Sequence, residues 1–293
     1  TFDITATGAG NVTWQINNAT DAQRTITLYD NLTVSAGGRI RVGTGNEGST
    51  NPHNLTMYGN ITNNGSIKFY DDADTELAES DYGLINPPVG ADLHRNETQG
   101  NAVTVTFAGP TDKTILCNNT TDFYRFILNK GTGQQAVLTV NSANTAYFRL
   151  FGPADNATVE SGNSWEYISS NALSIVNGTL ELTGNINIPA LQLDGSGTGY
   201  FPIPRNGALW LNGAGVTVQI ADNVSANFAS TKDGRILMSG LLRISAGTLN
   251  DGFSKGLGSQ DGGTYLQEGG TVNCWQFRPR AVGTGIFSFI QTG

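Results

Sequence analysis

Residues 173–193, Leu-Ser-Ile-Val-Asn-Gly-Thr-Leu-Glu-Leu-Thr-Gly-Asn-Ile-Asn-Ile-Pro-Ala-Leu-Gln-Leu, constrain the fold more than any other stretch. Four short apolar-polar alternations are separated by Asn-Gly, Gly-Asn and Pro-Ala, and strand side chains alternate with a period of two. Leu173/Ile175, Leu180/Leu182, Ile186/Ile188 and Leu191/Leu193 are therefore expected to point inward from very short strands. Such strands are not stable alone. They need copies of themselves to stack on, and the rest of the chain supplies loose copies.

The copies return at near-regular distances. Asn31-Leu-Thr-Val comes back as Asn54-Leu-Thr-Met, and Leu209-Trp-Leu comes back as Ile236-Leu-Met. Tyr265-Leu-Gln-Glu-Gly is answered by Phe289-Ile-Gln-Thr-Gly. Spacings of this size, each about one coil, predict an all-β fold in which parallel coils form a β-solenoid spanning residues 1–293 as one unit. About 12 coils at about 4.8 Å each give a rod about 55–60 Å long. The alternative is a stack of antiparallel β-hairpins or β-sandwiches, because Asn-Gly at 177–178, 206–207 and 212–213 is also a strong hairpin signal. Hairpins should echo within about 15 residues rather than one coil apart. Two stretches interrupt the pattern: an acidic, Pro-containing excursion at 71–101, and a Gly/Pro-rich run at 195–205 that is a possible subdomain break.

Composition excludes some partners. With 16 basic against 24 acidic residues, a net charge of −8 and the basic residues dispersed, a nucleic-acid partner is not expected. No run of 18 apolar residues occurs, so no transmembrane helix is expected. Opening at Thr1 and stopping at Gly293 in mid-phrase suit a mature or interior piece of a longer protein. Cys117 and Cys274 fall roughly six coils apart, or about 30 Å, too far for a disulfide, which predicts two free, buried thiols.

Candidate chemistry is sparse. Asp71, Asp72, Asp74 and Glu76 could offer carboxylates to Ca²⁺, yet the run lacks the Gly and terminal Glu of an EF-hand loop, and a solvated acidic loop is preferred. Were the chain a lyase or hydrolase, Asp72 and Asp74 with Arg95, or Asp194 with Arg205, would be its acid, base and cation. His53 and His94 read as surface loop residues rather than general bases. Among Trp14, Trp165, Trp210 and Trp275, Trp210 is the best sugar-stacking candidate, because Leu209 and Leu211 beside it should face inward and turn it out. The Asn-x-Ser/Thr sequons, Asn31, Asn60 and Asn177 among them, are attributed to Asn-rich turns. Thr25/Thr27 and Thr104/Thr106 raise an ice-binding possibility, ranked last because the Thr-x-Thr phrase shows no fixed coil position.

One resemblance adds to this. Val103-Thr-Val-Thr-Phe-Ala-Gly109, Ile115-Leu-Cys117, Thr121-Asp-Phe-Tyr-Arg-Phe-Ile-Leu-Asn-Lys130 and Val137-Leu-Thr-Val140 resemble a recurring segment of large type IX-secreted surface proteins of Bacteroidetes. The phrase at 173–182 looks like its continuation, and Gly269-Gly-Thr-Val272 with Gln291-Thr-Gly is similar to their C-terminal repeats. The resemblance implies a right-handed parallel β-helix, displayed at or released from the cell surface, with an adhesive role and no catalytic residue that transfers by position. It makes this chain a non-catalytic spacer or adhesive segment, with binding loops at 43–53 and 71–101. Its partners would be surface polysaccharide or another cell-surface component and neighbouring domains of the same long chain; no cofactor is expected unless Ca²⁺ binds. A β-helix polysaccharide lyase or hydrolase is the alternative, and a glycan- or ice-binding module the third reading.

Overall fold

The structure is a computed structural model, described over residues 2–4, 12–16, 23–42, 53–69, 102–150, 172–188, 191, 201–220, 236–250, 257–259, 262–274, 277–278 and 288–292. Among these residues there are strands and no helices, so none is a helix long and apolar enough to cross a membrane. Each strand pairing is parallel, which rules out the hairpin alternative for the described residues.

The chain visits three faces in turn. The first carries β3 (Thr25–Leu28), β6 (His53–Met57), β9 (Val103–Ala108), β12 (Arg125–Asn129) and the start of β15 (Leu173–Ile188). The second carries β1 (Phe2–Ile4), β4 (Leu32–Val34), β7 (Ile61–Asn63), β10 (Lys113–Cys117), β13 (Val137–Ser142) and the middle of β15. It continues through β17 (Gly207–Leu211), β20 (Leu241–Ile244), β23 (Thr264–Gln267) and β26 (Ser288–Gln291). The third carries β2 (Val12–Ile16), β5 (Gly38–Val42), β8 (Ser66–Lys68), β11 (Thr121–Phe123) and β14 (Phe148–Leu150). Beyond β15 two fresh ladders hold the flanking places in the coil. One is β16 (Phe201–Ile203), β19 (Ile236–Met238), β22 (Leu257–Ser259) and β25 (Phe277–Arg278). The other runs from Asn185 in β15 through β18 (Gly215–Gln219), β21 (Thr248–Asn250) and β24 (Thr271–Asn273).

The second face is thus a continuous ladder of ten strands, nine steps or about 43 Å at about 4.8 Å each, shorter than the rod expected from about 12 coils. It passes without interruption from Leu180 to Leu209, across the stretch containing 195–205.

The alternation at 173–191 builds one whole coil. Leu173, Ile175, Leu180, Leu182, Ile186, Ile188 and Leu191 are all buried, while Leu193 lies outside the described residues. The structure makes a single strand of 16 residues where separate short ones are expected. It turns two corners at Gly178 (φ 96°) and Gly184 (φ 72°). Both angles disfavour an L side chain, and a Cβ on Gly178 would lie 2.9 Å from the Ala136 carbonyl oxygen of the coil beneath. Inward residues continue as columns: Leu32, Ile61, Ile115, Val140, Leu182, Leu211 and Ile244 follow one another on the second face. Each such side chain removed from water stabilises the stack by about 1.5–3 kcal/mol.

The register corrects the echoes. Asn31-Leu-Thr-Val does not sit on Asn54-Leu-Thr-Met; Leu32 pairs with Ile61, while Leu55 pairs with Ile26 on the first face. Leu209 likewise pairs with Leu242, not Ile236, which pairs with Phe201. The Tyr265/Phe289 echo is in register, the two rings stacked at 5.2 Å. The Thr-x-Thr phrase does keep a coil position: Thr25, Asn54 and Thr104 form one outward column and Thr27, Thr56 and Thr106 the next. Thr104 is buried, and on the next level Arg125 and Ile127 follow Thr104 and Thr106, so neither column continues as an open hydroxyl surface.

Asparagine has a different role from turn-making at several positions. Asn60 Nδ2 donates to Asn31 Oδ1 (2.9 Å), Asn118 to Asn64 (2.9 Å), Asn177 to Asn129 (2.7 Å) and Asn273 to Asn250 (2.8 Å). Each bond joins residues stacked one level apart, so the amides form ladders that reinforce the backbone pairing. Asn63 turns inward instead; its Nδ2 donates to the Thr120 carbonyl (2.7 Å) and Thr121 Oγ1 (2.8 Å), and its Oδ1 accepts from Gly65 N–H (3.0 Å).

Candidate functional site

Trp210 projects outward from the second face, as the burial of Leu209 and Leu211 requires, and is half-buried. Its ladder neighbours are Glu181 on one side and Arg243 on the other. The Arg243 guanidinium lies over the indole with its carbon 4.0 Å from the ring centroid, and the indole N–H donates to Ser245 Oγ at 2.8 Å. Arg243 is in turn bidentate to Glu268, Nε to Oε2 at 2.8 Å and the terminal nitrogen to Oε1 at 3.0 Å, while Ser245 Oγ donates to Oε2 at 2.5 Å. The Arg243 and then the Ser245 hydrogen bonds hold the Glu268 carboxyl below its ordinary pKa. Trp210 is therefore not the free platform the alternation suggests. One ring face is taken by a cation–π contact, and at most the other is left for a ligand.

A more exposed aromatic pair lies lower on the stack. Tyr29 and Tyr58 are 79% and 36% exposed and stack at 5.2 Å with 19° between their planes. They occupy the corner between the first and second faces, just ahead of Asn31 and Asn60 in the chain. The Tyr58 ring needs Gly109 (φ 87°), where a Cβ would fall 3.1 Å from its Cδ1. Beside the pair, on the second face, is an open groove of about 530 Å³ lined by Asn31, Thr33, Asn60, Ile61, Thr62, Thr114 and Leu116. None of these side chains is ionisable. Asn31 Oδ1 accepts the Asn60 N–H and Nδ2–H, both at 2.9 Å, and Asn60 Oδ1 accepts the Thr114 N–H at 2.9 Å, so the amides are held in fixed orientation. Tyr58 is held between Tyr29 and Gly109, so the open ring face is the outer face of Tyr29. That face next to oriented amides and hydroxyls is the chemistry that takes a sugar ring: the apolar C–H face on the aromatic, hydroxyls on the amides.

Comparison with family models, curated proteins and solved structures finds no match. The site is therefore read from its own residues. Asp71, Asp72, Asp74, Glu76, His94 and Arg95 lie outside the described residues, as do Asp194, Trp165 and Trp275, and the Trp14 side chain is likewise not described. Arg205 is exposed, its carbonyl accepting from Gln134 Nε2 (2.9 Å). Among the described residues no group of three or more His, Cys, Asp or Glu gathers as metal ligands do.

Two expectations are overturned here. Cys117 is buried and free, its thiol pushed up to about 12 chiefly by that burial, but Cys274 is exposed rather than buried. They stand five levels apart, or about 24 Å. His53 is no surface loop residue. It opens β6 at the inward position that Leu55 and Met57 continue, and is buried. Its Nδ1 accepts the Arg24 N–H at 3.0 Å, which puts the ring proton on Nε2, an atom with no hydrogen-bond partner. Burial first, and then the Arg24 charge, holds the imidazole below the ordinary value of 6.5. The folded state thus keeps His53 neutral while the unfolded chain takes up a proton near 6.5, so stability is full above that pH and falls as pH drops towards the folded-state value. Urea titrations from pH 7.5 to 5 should show a loss of at most about 1.4 kcal/mol per pH unit that His53→Gln removes; an unchanged slope in that variant contradicts the assignment.

Proposed function

We propose that the chain is a right-handed parallel β-helix segment of an extracellular or cell-surface protein, without catalysis of its own, that adheres to a glycan at the Tyr29–Tyr58 corner. The single observation that carries the glycan reading is the exposed tyrosine stack beside an uncharged Asn/Thr groove. Right-handedness is supported by the parallel pairing, since parallel crossovers take that hand in about 98% of cases. The surface location and adhesive role, and export by a type IX route, rest on the resemblance of residues 103–140 and 173–182 to Bacteroidetes surface proteins.

The test is a glycan array followed by calorimetry on the best neutral ligand. Tyr29→Ala should weaken binding about tenfold, the size of one lost aromatic contact, and Tyr58→Ala should also weaken it by removing the ring on which Tyr29 stacks. Because Tyr29 is exposed, its variant should melt within a degree or two of the parent, so lost binding reads as lost contact. Retention of full affinity in both variants, or no glycan bound at all, would reject the reading.

A further inference from the structure

Taking the glycan reading above as its starting point, we infer that the second face is a track for a linear, neutral polysaccharide lying along the stack axis, anchored at Tyr29–Tyr58 and again at Trp210. The register places Asn31, Asn60, Thr114, Thr139, Glu181 and Trp210 in one outward column, each residue one level above the last. The groove spans the first three of these levels, so it runs across coils, along the column. From Asn31 to Trp210 is five steps, or about 24 Å at about 4.8 Å per step. Polar partners repeat at each step, which suits a polymer presenting the same hydroxyls at a regular interval better than a single compact sugar.

The middle of the track is built as well as its ends. Glu181 Oε2 accepts from Thr139 Oγ1 and Oε1 from Asn212 Nδ2, both at 2.7 Å, so the carboxylate is fixed as an acceptor for sugar hydroxyls. That carboxylate is the one ionisable side chain in the column between the two aromatic anchors. Asp30, beside Asn31 and within the field of Lys113, adds a second carboxylate at the lower end, so the carboxylates along the track disfavour anionic chains such as uronates and favour neutral ones.

Affinity measured against length tests the track, using neutral β-linked oligosaccharides of the sugar that binds best, from disaccharide to octasaccharide. Binding should tighten until the ligand spans the two anchors. Tyr29→Ala should weaken short and long ligands alike, while Trp210→Ala should weaken the long ones about tenfold and leave the disaccharide unchanged. Trp210 also supports Arg243, so a second variant is needed: Asn141→Arg, at an exposed outward position between the anchors, should obstruct long ligands and spare short ones. Affinity independent of length, or equal losses for short and long ligands in both variants, overturns the track and leaves glycan binding at the tyrosines standing. If no neutral glycan binds at all, the proposed function itself fails.

Discussion

Phe126→Ala is expected to lower the unfolding free energy by about 3–5 kcal/mol, the cost of an aromatic removed from a packed interior. Phe126 is buried where faces and levels meet, its ring 4.7 Å from Phe107, 5.1 Å from Phe123 and 6.0 Å from Phe148. Phe123 extends the cluster to Phe69 at 5.6 Å. These rings come from the first face (Phe107, Phe126) and the third (Phe123, Phe148), so truncating one opens space that no single coil can close by shifting. The aliphatic columns elsewhere could lose a methylene more cheaply. Urea denaturation followed by tryptophan fluorescence is the check, and a loss under about 1 kcal/mol would mean that the rings do not interlock as described.

The second large effect comes from Arg149. Its Nε and a terminal nitrogen donate to the two Asp122 oxygens at 2.7 Å each, and both side chains are only 3% exposed although they project outward from the third-face ladder. Arg149→Met leaves a carboxylate buried without its bidentate partner, which should cost about 3–5 kcal/mol. The double variant Arg149→Met/Asp122→Leu removes both charges and should recover most of that loss, because two well-packed apolar groups often match a buried ion pair. Additive losses in the double variant would show that the two charges are not coupled through the bidentate contact.

Much of the architecture was legible because inward alternation is written directly in the chain: the apolar positions of 173–191 are the buried ones. The register was not legible in the same way. A phrase such as Leu-Thr-Val fits any face, since every face needs branched residues inward and small polar ones outward, so Asn31-Leu-Thr-Val matched the wrong face of the next coil. Corners carry the identity of a face. Tyr29-Asp-Asn31-Leu-Thr33 and Tyr58-Gly-Asn60-Ile-Thr62 are the pair that stack, and they contain the tyrosines of the site.

Unequal coils hid the rest. The steps from Leu180 to Leu209, from Leu209 to Leu242 and from Leu242 to Tyr265 all differ in length, so no fixed period brings Ser245 and Glu268 to Trp210. Alternation told which way Trp210 points but not that Arg243 covers it. His53 is deceptive for a related reason. The Gly, Asn and Pro before it look like loop, yet His53-x-Leu55-x-Met57 already has the inward period.

The central claim is which coil residue lies on which, and paired cysteines measure that directly. In a Cys274→Ser background, Thr33→Cys/Thr62→Cys places two thiols on directly paired positions of adjacent parallel strands, about 4.8 Å apart at Cα and within disulfide reach. Thr33→Cys/Thr56→Cys follows the sequence echo instead and puts them on different faces. Under mild oxidation the first pair should close to a disulfide, seen by thiol titration and peptide mass, and the second should stay reduced. Closure of the 33/56 pair with the 33/62 pair left open would contradict the stack.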